Sequence, residues 1–275
     1  MTVFKVKGGT KLKGTLTPQG AKNEALQVLC AVLLTEKDVI IENLPNIVDV
    51  NILIDLLKSL NVVVEKIKEN TFRFKANNVD IDYLSSEEYK IKSSKIRGSI
   101  MIVGPLLARF GKGYIPQPGG DKIGRRRLDT HFTGFEKLGA QFIYDIKEEF
   151  YRVEGENLKG NNLLLEEASV TGTANIVMAA SMARGKTTIY NAACEPYLQQ
   201  LCKMLNAMGA KISGIGSNLL EIEGVSSLNG CNHRVLPDMI EIGSFIGLAA
   251  ITKSEITIKN VSFKDLGIIP NTFEK

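Results

Sequence analysis

From Asn23 to Leu34 the chain places apolar residues at helical spacing. The polar step Thr35-Glu36-Lys37-Asp38 follows, and Val39-Ile40-Ile41-Glu42-Asn43 then reads as a strand. A second helix is expected over Val48 to Leu60, ending before Asn61 and the strand Val62-Val63-Val64. The order helix, strand, helix, strand then returns. Thr173 to Ala183 is an apolar helix, Arg184-Gly185-Lys186 a turn and Thr187-Thr188-Ile189-Tyr190-Asn191 a strand; Tyr197 to Met208 is the second helix, closed by Gly209 before Ala210-Lys211-Ile212. A more divergent copy lies between them. Its first helix is Arg97 to Phe110, Gly111 to Gly124 stands where strand and connection belong, and Leu128 to Leu138 is closed by Gly139. Gly139 and Gly209 suit the left-handed residue that ends many helices. A fourth copy begins at Pro237, runs through Ile240 to Ile251, and reaches Ile256-Thr257-Ile258-Lys259-Asn260, repeating the strand and asparagine of the first and third.

Successive copies are offset by roughly 70–78 residues, too long for a solenoid and suited to a few packed α/β modules. Residues 22–235 are expected to form one domain of three complete copies, with sheets buried behind apolar helices. The fourth copy stops at Lys275 inside its expected second helix. Its apolar helix and strand edge would then lack partners, which predicts poor solubility unless something covers them.

Composition narrows the function classes. With 275 residues, 44% hydrophobic and 23% charged, the chain is long enough for one large or two modest domains. A formal net charge of +4 is too mild for a dedicated nucleic-acid protein, while local clusters of lysine and arginine suit a small multiply charged anion. No apolar run reaches membrane-span length and Met1 to Gly9 has no signal-peptide core, so a cytoplasmic protein is expected. The four cysteines form no CxxC pair and no metal-like group with His131 or His233. Cys30 and Cys202 lie on apolar helix faces and are expected to be buried.

The chemistry concentrates in Pro118-Gly119-Gly120-Asp121-Lys122-Ile123-Gly124-Arg125-Arg126-Arg127-Leu128-Asp129, one acid among glycines followed by three arginines. Glycines let the backbone approach a ligand, and guanidinium forks match phosphate and carboxylate. Acid chemistry on an anion and a solvated charged turn both fit this loop taken alone.

Together with Gly20-Ala21-Lys22-Asn23-Glu24-Ala25-Leu26, Ile96-Arg97-Gly98-Ser99, Ser169-Val170-Thr171-Gly172-Thr173 and Arg234-Val235-Leu236-Pro237-Asp238, the loop resembles the UDP-N-acetylglucosamine 1-carboxyvinyltransferase family of enolpyruvyl transferases. The resemblance follows the whole chain in order. It implies an α/β fold of repeated βαβαββ-type modules that form an inside-out α/β barrel domain, plus the start of a second like domain. Residues 1–21 and 236–275 would belong to that second domain, and roughly the last third of the family's length would be missing.

The reaction so implied moves the enolpyruvyl group of phosphoenolpyruvate to the 3′-hydroxyl of UDP-N-acetylglucosamine, by addition and then elimination of phosphate. It opens peptidoglycan precursor synthesis and uses no metal and no cofactor. Residue by residue, Lys22, Asn23 and Arg126 would contact phosphoenolpyruvate. Arg97, Arg126, Arg127, Leu128, Asp129, Thr130, Glu167, Ala168, Ser169 and Val170 would hold the UDP-sugar. Asp121 stands where the family has its proton donor, most often a cysteine. An ordinary aspartate, with a pKa of about 3.9, is a poor acid near neutrality, and needs burial or a nearby like charge to donate. Many relatives have proline where this chain has Arg127, so the carry-over there reaches the backbone better than the side chain.

Plain structural roles stand beside these. Lys22 suits a surface lysine, Asn23, Ser169 and Thr171 suit helix caps, and Arg97, Arg125 and Arg127 suit solvated cations. His131 is read as structural; Asp238 and Glu241 belong to the cleft or the hinge. The family's general base would come from beyond Lys275, so the chain by itself is expected to be inactive. The alternatives are a shikimate 3-phosphate enolpyruvyl transferase and an inactive nucleotide-sugar-binding fragment. A nucleic-acid module built on the arginines lacks the aromatic interleaving such sites use.

Overall fold

The computed structural model describes residues 3–115, 127–145 and 150–275. A strand β1 (Lys13–Leu16) precedes the first copy, which consists of α1 (Lys22–Ala31) prolonged by a 3-10 turn Val32–Leu34, β2 (Val39–Glu42), α2 (Val48–Ser59), β3 (Val63–Lys68) and β4 (Thr71–Lys75). A short helix α3 (Glu87–Ser93) leads to the second: a 3-10 turn Arg97–Ile102 running into α4 (Val103–Phe110), then β5 (Lys112–Ile115), α5 (Asp129–Lys137), β6 (Gln141–Asp145) and β7 (Phe150–Glu154). β8 (Asn162–Leu164) introduces the third, with α6 (Val170–Ala180), β9 (Lys186–Tyr190), α7 (Pro196–Ala207), β10 (Lys211–Ser213) and β11 (Leu219–Glu223). β12 (Cys231–Arg234), α8 (Met239–Thr252), β13 (Glu255–Ile258) and α9 (Ile269–Phe273) complete the order.

Each of the first three copies builds the same antiparallel sheet, β2-β4-β3, β5-β7-β6 and β9-β11-β10. The returning strands β4, β7 and β11, and the helix α3, were not placed from the sequence, although Thr71 to Lys75 and Leu220 to Glu223 alternate apolar and polar residues. The layering also corrects the expectation that sheets lie behind helices. Here the first helices, α1, α4 and α6, are in the centre and nearly every residue of α1 and α6 is buried. The sheets lie outside, with alternating positions on β11, while Thr187, Thr188 and Ile189 of β9 are all buried. Cys30 and Cys202 are buried as expected, and burial pushes the Cys202 thiol up to about 12.

The second helices end alike. Asn61, Gly139 and Gly209 all have positive φ, and the next residue's N–H, on Val62, Ala140 and Ala210, reaches back to Leu57, Phe135 and Leu205 O at 3.1, 2.9 and 2.9 Å. That is the Schellman closure, which satisfies carbonyls the helix leaves unpaired. The strand-ending asparagines also recur. Asn43, Asn191 and Asn260 are left-handed, and the amides of Asn43 and Asn191 donate to Val235 O and Leu165 O, each just past the end of the neighbouring parallel strand.

One exchange breaks the repetition. β8 precedes α6 and lies parallel to β9 of its own copy, but β1, which precedes α1, pairs with β13, and β12, which precedes α8, pairs with β2. The first and fourth copies thus trade their leading strands. The segments that cross meet in a bridge between Gly20 and Pro237, beside the start of α1.

Candidate active site

The starts of the three central first helices open on one cleft of about 400 Å³. Lys22 and Asn23 come from α1, Arg97 and Gly98 from the 3-10 turn that leads into α4, and Val170 and Thr171 from α6. Asp49 of α2, Lys95 and Tyr197 of α7 complete the parts used below. Neither the N-cap of α1, Ala21, nor that of the 3-10 turn at Arg97, Ile96, caps its helix with its own side chain. Unpaired N–H groups and the positive ends of helix dipoles favour an anion at such positions. Among the described residues, three cations line the cleft, Lys22, Lys95 and Arg97, against one carboxylate, Asp49.

Lys22 is held from two directions. Its ammonium lies 2.5 Å from Asp49 Oδ2, and its backbone N–H donates to Asp238 Oδ2 at 3.0 Å. The other oxygen of Asp238 caps α8 through Ile240 N and Glu241 N. Asn23 hydrogen-bonds the Tyr197 phenol, whose pKa is raised by burial and by Glu195 although the Asn23 bond pulls it down. Glu241 accepts from Gln19 N–H, so Asp238 and Glu241 both act at the crossing segments.

Beside Arg97 the predicted sugar-nucleotide segments come together. Arg97 Nη2 donates to Arg127 O at 3.2 Å, and Arg127 Nε donates to Asp129 Oδ2 at 2.7 Å. The Asp129 bond and charge, with Glu166 and Glu167 nearby, raise the Arg127 pKa. Thr130 Oγ1 donates to Glu167 Oε1 at 3.5 Å, joining the start of α5 to the turn before α6. Leu128 packs against the core. Ser169 serves as the N-cap of α6, accepting from Gly172 N–H at 3.2 Å, while Val170 lines the cleft and Ala168 lies in the turn between Glu167 and the cap. Asp121 and Arg126 lie outside the described residues.

His131 is buried behind this wall. The Asn175 amide donates to Ile100 O and accepts from Gly104 N–H, so its remaining hydrogen goes to His131 Nδ1 at 3.0 Å. The imidazole proton is therefore on Nε2, where it donates to Thr171 Oγ1 at 3.3 Å. Burial first, and the charge of Arg97 second, push its pKa down to about 4 and keep the ring neutral. The structural reading of His131 fits, and its ring holds the hydroxyl of Thr171, a residue that lines the cleft.

Sequence reasoning missed Asp49, Lys95 and Tyr197. Asp49 opens a helix with a common first-turn acid and Tyr197 follows a proline at a helix start, so neither carries a local mark of function. The roles of Asp49 and Tyr197 come from their partners Lys22 and Asn23 elsewhere in the chain.

A family profile for EPSP synthase (3-phosphoshikimate 1-carboxyvinyltransferase) matches residues 6–271. The chain belongs to that family. Within the family, it is 62% identical over 275 residues to the UDP-N-acetylglucosamine 1-carboxyvinyltransferase of Bacteroides fragilis, covering all of this chain and 63% of that protein. The protein of the same name from Treponema denticola is 46% identical over the same span and is likewise covered to 63%. The chain thus spans a little under two thirds of the length of these relatives. Among solved structures, the enolpyruvyl transferase NikO from Streptomyces tendae superposes with a TM-score of 0.72 at 18% identity, covering 87% of this chain and 55% of that one. EPSP synthase from Acinetobacter baumannii gives 0.72 at 18%, covering 93% and 57%. At such identity the likeness speaks for the enolpyruvyl transferase fold alone.

Proposed function

We propose that the chain provides the cleft in which a carboxyvinyl group is moved from phosphoenolpyruvate to the 3′-hydroxyl of UDP-N-acetylglucosamine. The observation that carries this reading is the convergence of three helix N-termini with Lys22, Asn23 and Arg97, beside the Arg127–Thr130 and Glu167–Val170 segments. The names of relatives 62% identical to it support the choice of acceptor.

In balanced form, the sugar O3′ adds to C2 of phosphoenolpyruvate as C3 takes a proton and O3′ loses one. Elimination then returns the C3 proton and expels inorganic phosphate. Lys22, Asn23 and the start of α1 take the phosphate and carboxylate, with Asp49 holding Lys22 in place before the anion arrives. Arg126 adds a guanidinium contact to phosphoenolpyruvate. Arg97 supports the backbone of Arg127, from which Leu128, Asp129 and Thr130 continue toward the uridine; Glu167, Ala168, Ser169 and Val170 approach it from the other side. Asp121 supplies the C3 proton, which an aspartate can give only where burial or a nearby like charge keeps it protonated. The product would enter peptidoglycan precursor synthesis in the cytoplasm, serving cell-wall biogenesis, cell shape and division.

The test is phosphate release by the full-length protein given phosphoenolpyruvate with either UDP-N-acetylglucosamine or shikimate 3-phosphate. Release with the first acceptor alone is expected, and Lys22→Ala should slow it by about a hundredfold or more. Release with shikimate 3-phosphate alone would overturn the acceptor. An unchanged rate in Lys22→Ala would overturn the site.

A further inference from the structure

Glu24 follows Asn23 in α1 but faces the other way, wholly buried and outside the cleft. A buried carboxylate is costly unless both oxygens find donors or it takes up a proton. Here both oxygens are engaged. Oε1 lies 2.8 Å from His233 Nε2 on β12, and Oε2 accepts from Leu236 N–H at 3.2 Å in the segment leading to α8. Burial raises the Glu24 pKa, His233 and Leu236 lower it, and the charge of Asp265, from the 3-10 turn Phe263–Asp265, acts in the same direction as burial.

The same segment is tied to the start of α1 twice more. Ala21 N–H donates to Leu236 O at 2.8 Å, and Lys22 N–H to Asp238 Oδ2 at 3.0 Å. Lys22 and Asn23 therefore sit inside a cluster of hydrogen bonds whose partners are more than two hundred residues away in the chain. Glu24 is the member of that cluster that reaches through the buried side of the helix. With no side-chain cap from Ala21, its own N-cap residue, little within α1 fixes its first turn.

We propose that Glu24 and His233 are a positioning pair: their buried bond sets the orientation of the first turn of α1, and through it where Lys22 and Asn23 stand in the cleft. The inference rests on the proposed function, in which those two residues meet phosphoenolpyruvate. Small misplacements of such contacts cost far more in rate than in affinity for a remote part of the second substrate.

The experiment compares wild-type full-length protein with Glu24→Gln and with the double variant Glu24→Leu/His233→Phe. Glu24→Gln keeps the size but replaces the charged acceptor by a neutral amide, which meets both Leu236 N–H and His233 only if the imidazole accepts at Nε2. It should lower kcat/KM for phosphoenolpyruvate by about tenfold to a hundredfold, with KM for UDP-N-acetylglucosamine changed less than about twofold. The double variant replaces the pair by apolar volume; it should regain melting temperature without regaining kcat/KM. Recovery of kcat/KM together with stability, or unchanged kinetics in Glu24→Gln, would overturn the proposal. Should both variants fail to fold, the wild type decides. Phosphoenolpyruvate must then slow amide exchange at Ala21, Lys22 and Leu236, and unchanged exchange at all three refutes the pair's role. A wild type that releases no phosphate would sink the function reading and not this one. The pair is then judged by whether Glu24→Gln accelerates exchange at Ala21 and Lys22 while Ile176 and Val177 stay protected.

Discussion

α6 and α8 occupy the same place in their copies and have opposite surroundings. Each begins at a side-chain cap, Ser169 or Asp238, and each is followed by a strand that ends in a left-handed asparagine, Asn191 or Asn260. In α6 nine residues, Gly172 to Ala180, are buried among α4, α5, α7 and the 3-10 turn at Arg97. In α8 only Ile242 is buried, and Ile251 is 81% exposed. Apolar periodicity and caps are thus enough to make the helix in either setting. Whether it contributes to a core depends on the elements that arrive beside it, and around α8 the described residues supply chiefly β13 and the short helix α9.

The sharpest way to break this comparison is a charge placed in each helix of residues 1–275. Ile176→Lys puts an unpaired ammonium in the closed centre and should cost more than about 4 kcal/mol, enough to abolish a cooperative urea transition. Leu248→Lys, on the open side of α8, should stay within about 0.5 kcal/mol and improve solubility. Equal losses would mean that α8 is as well packed as α6.

Acid should attack the α5–α6 side selectively. His131 is held neutral with its pKa pushed down to about 4, from 6.5. Between those values the unfolded chain binds the proton and the folded one does not, so stability present above about pH 6.5 is lost as the pH falls toward 4. The full loss is on the order of 3 kcal/mol. Melting temperatures measured across this window should fall for the wild type and fall less for His131→Gln.

The smallest effects should have opposite signs. A Cβ on Gly104 of α4 would meet Asn175 O at 2.4 Å, so Gly104→Ala should destabilise by about 1–3 kcal/mol through overpacking and loss of the Asn175 network. On Gly247 of α8 it would meet nothing nearer than Phe273 Cζ at 3.9 Å, so Gly247→Ala should stabilise by up to about 1 kcal/mol through helix propensity. Chemical denaturation of both variants checks the pair.

The chain's periodicity located the first and second helices of each copy to within a few residues, as α1 against Asn23–Leu34 and α7 against Tyr197–Met208 show. Gly139 and Gly209 marked helix ends correctly, and Asn61 performs the same closure without a glycine. The strands β4 and β11 were overlooked although Phe72 and Phe74, and Leu220 and Ile222, alternate with polar residues as a half-buried strand does; β7, Phe150–Glu154, lacks that strict alternation. In the site, Lys22, Asn23, Arg97 and Val170 were named from motifs and meet in one cleft, whereas Asp49 and Tyr197 were not named and hold Lys22 and Asn23 in place.

Helix periods, caps and Schellman closures involve residues within about five positions of one another, so the order of neighbours along the chain determines them. The trade of β1 and β12 between copies, the meeting of three helix starts, the neutral tautomer of His131 and the Glu24–His233 bond join residues tens to hundreds of positions apart. Such pairings depend on how separately formed elements bury their apolar faces together. Only the tertiary structure decides them.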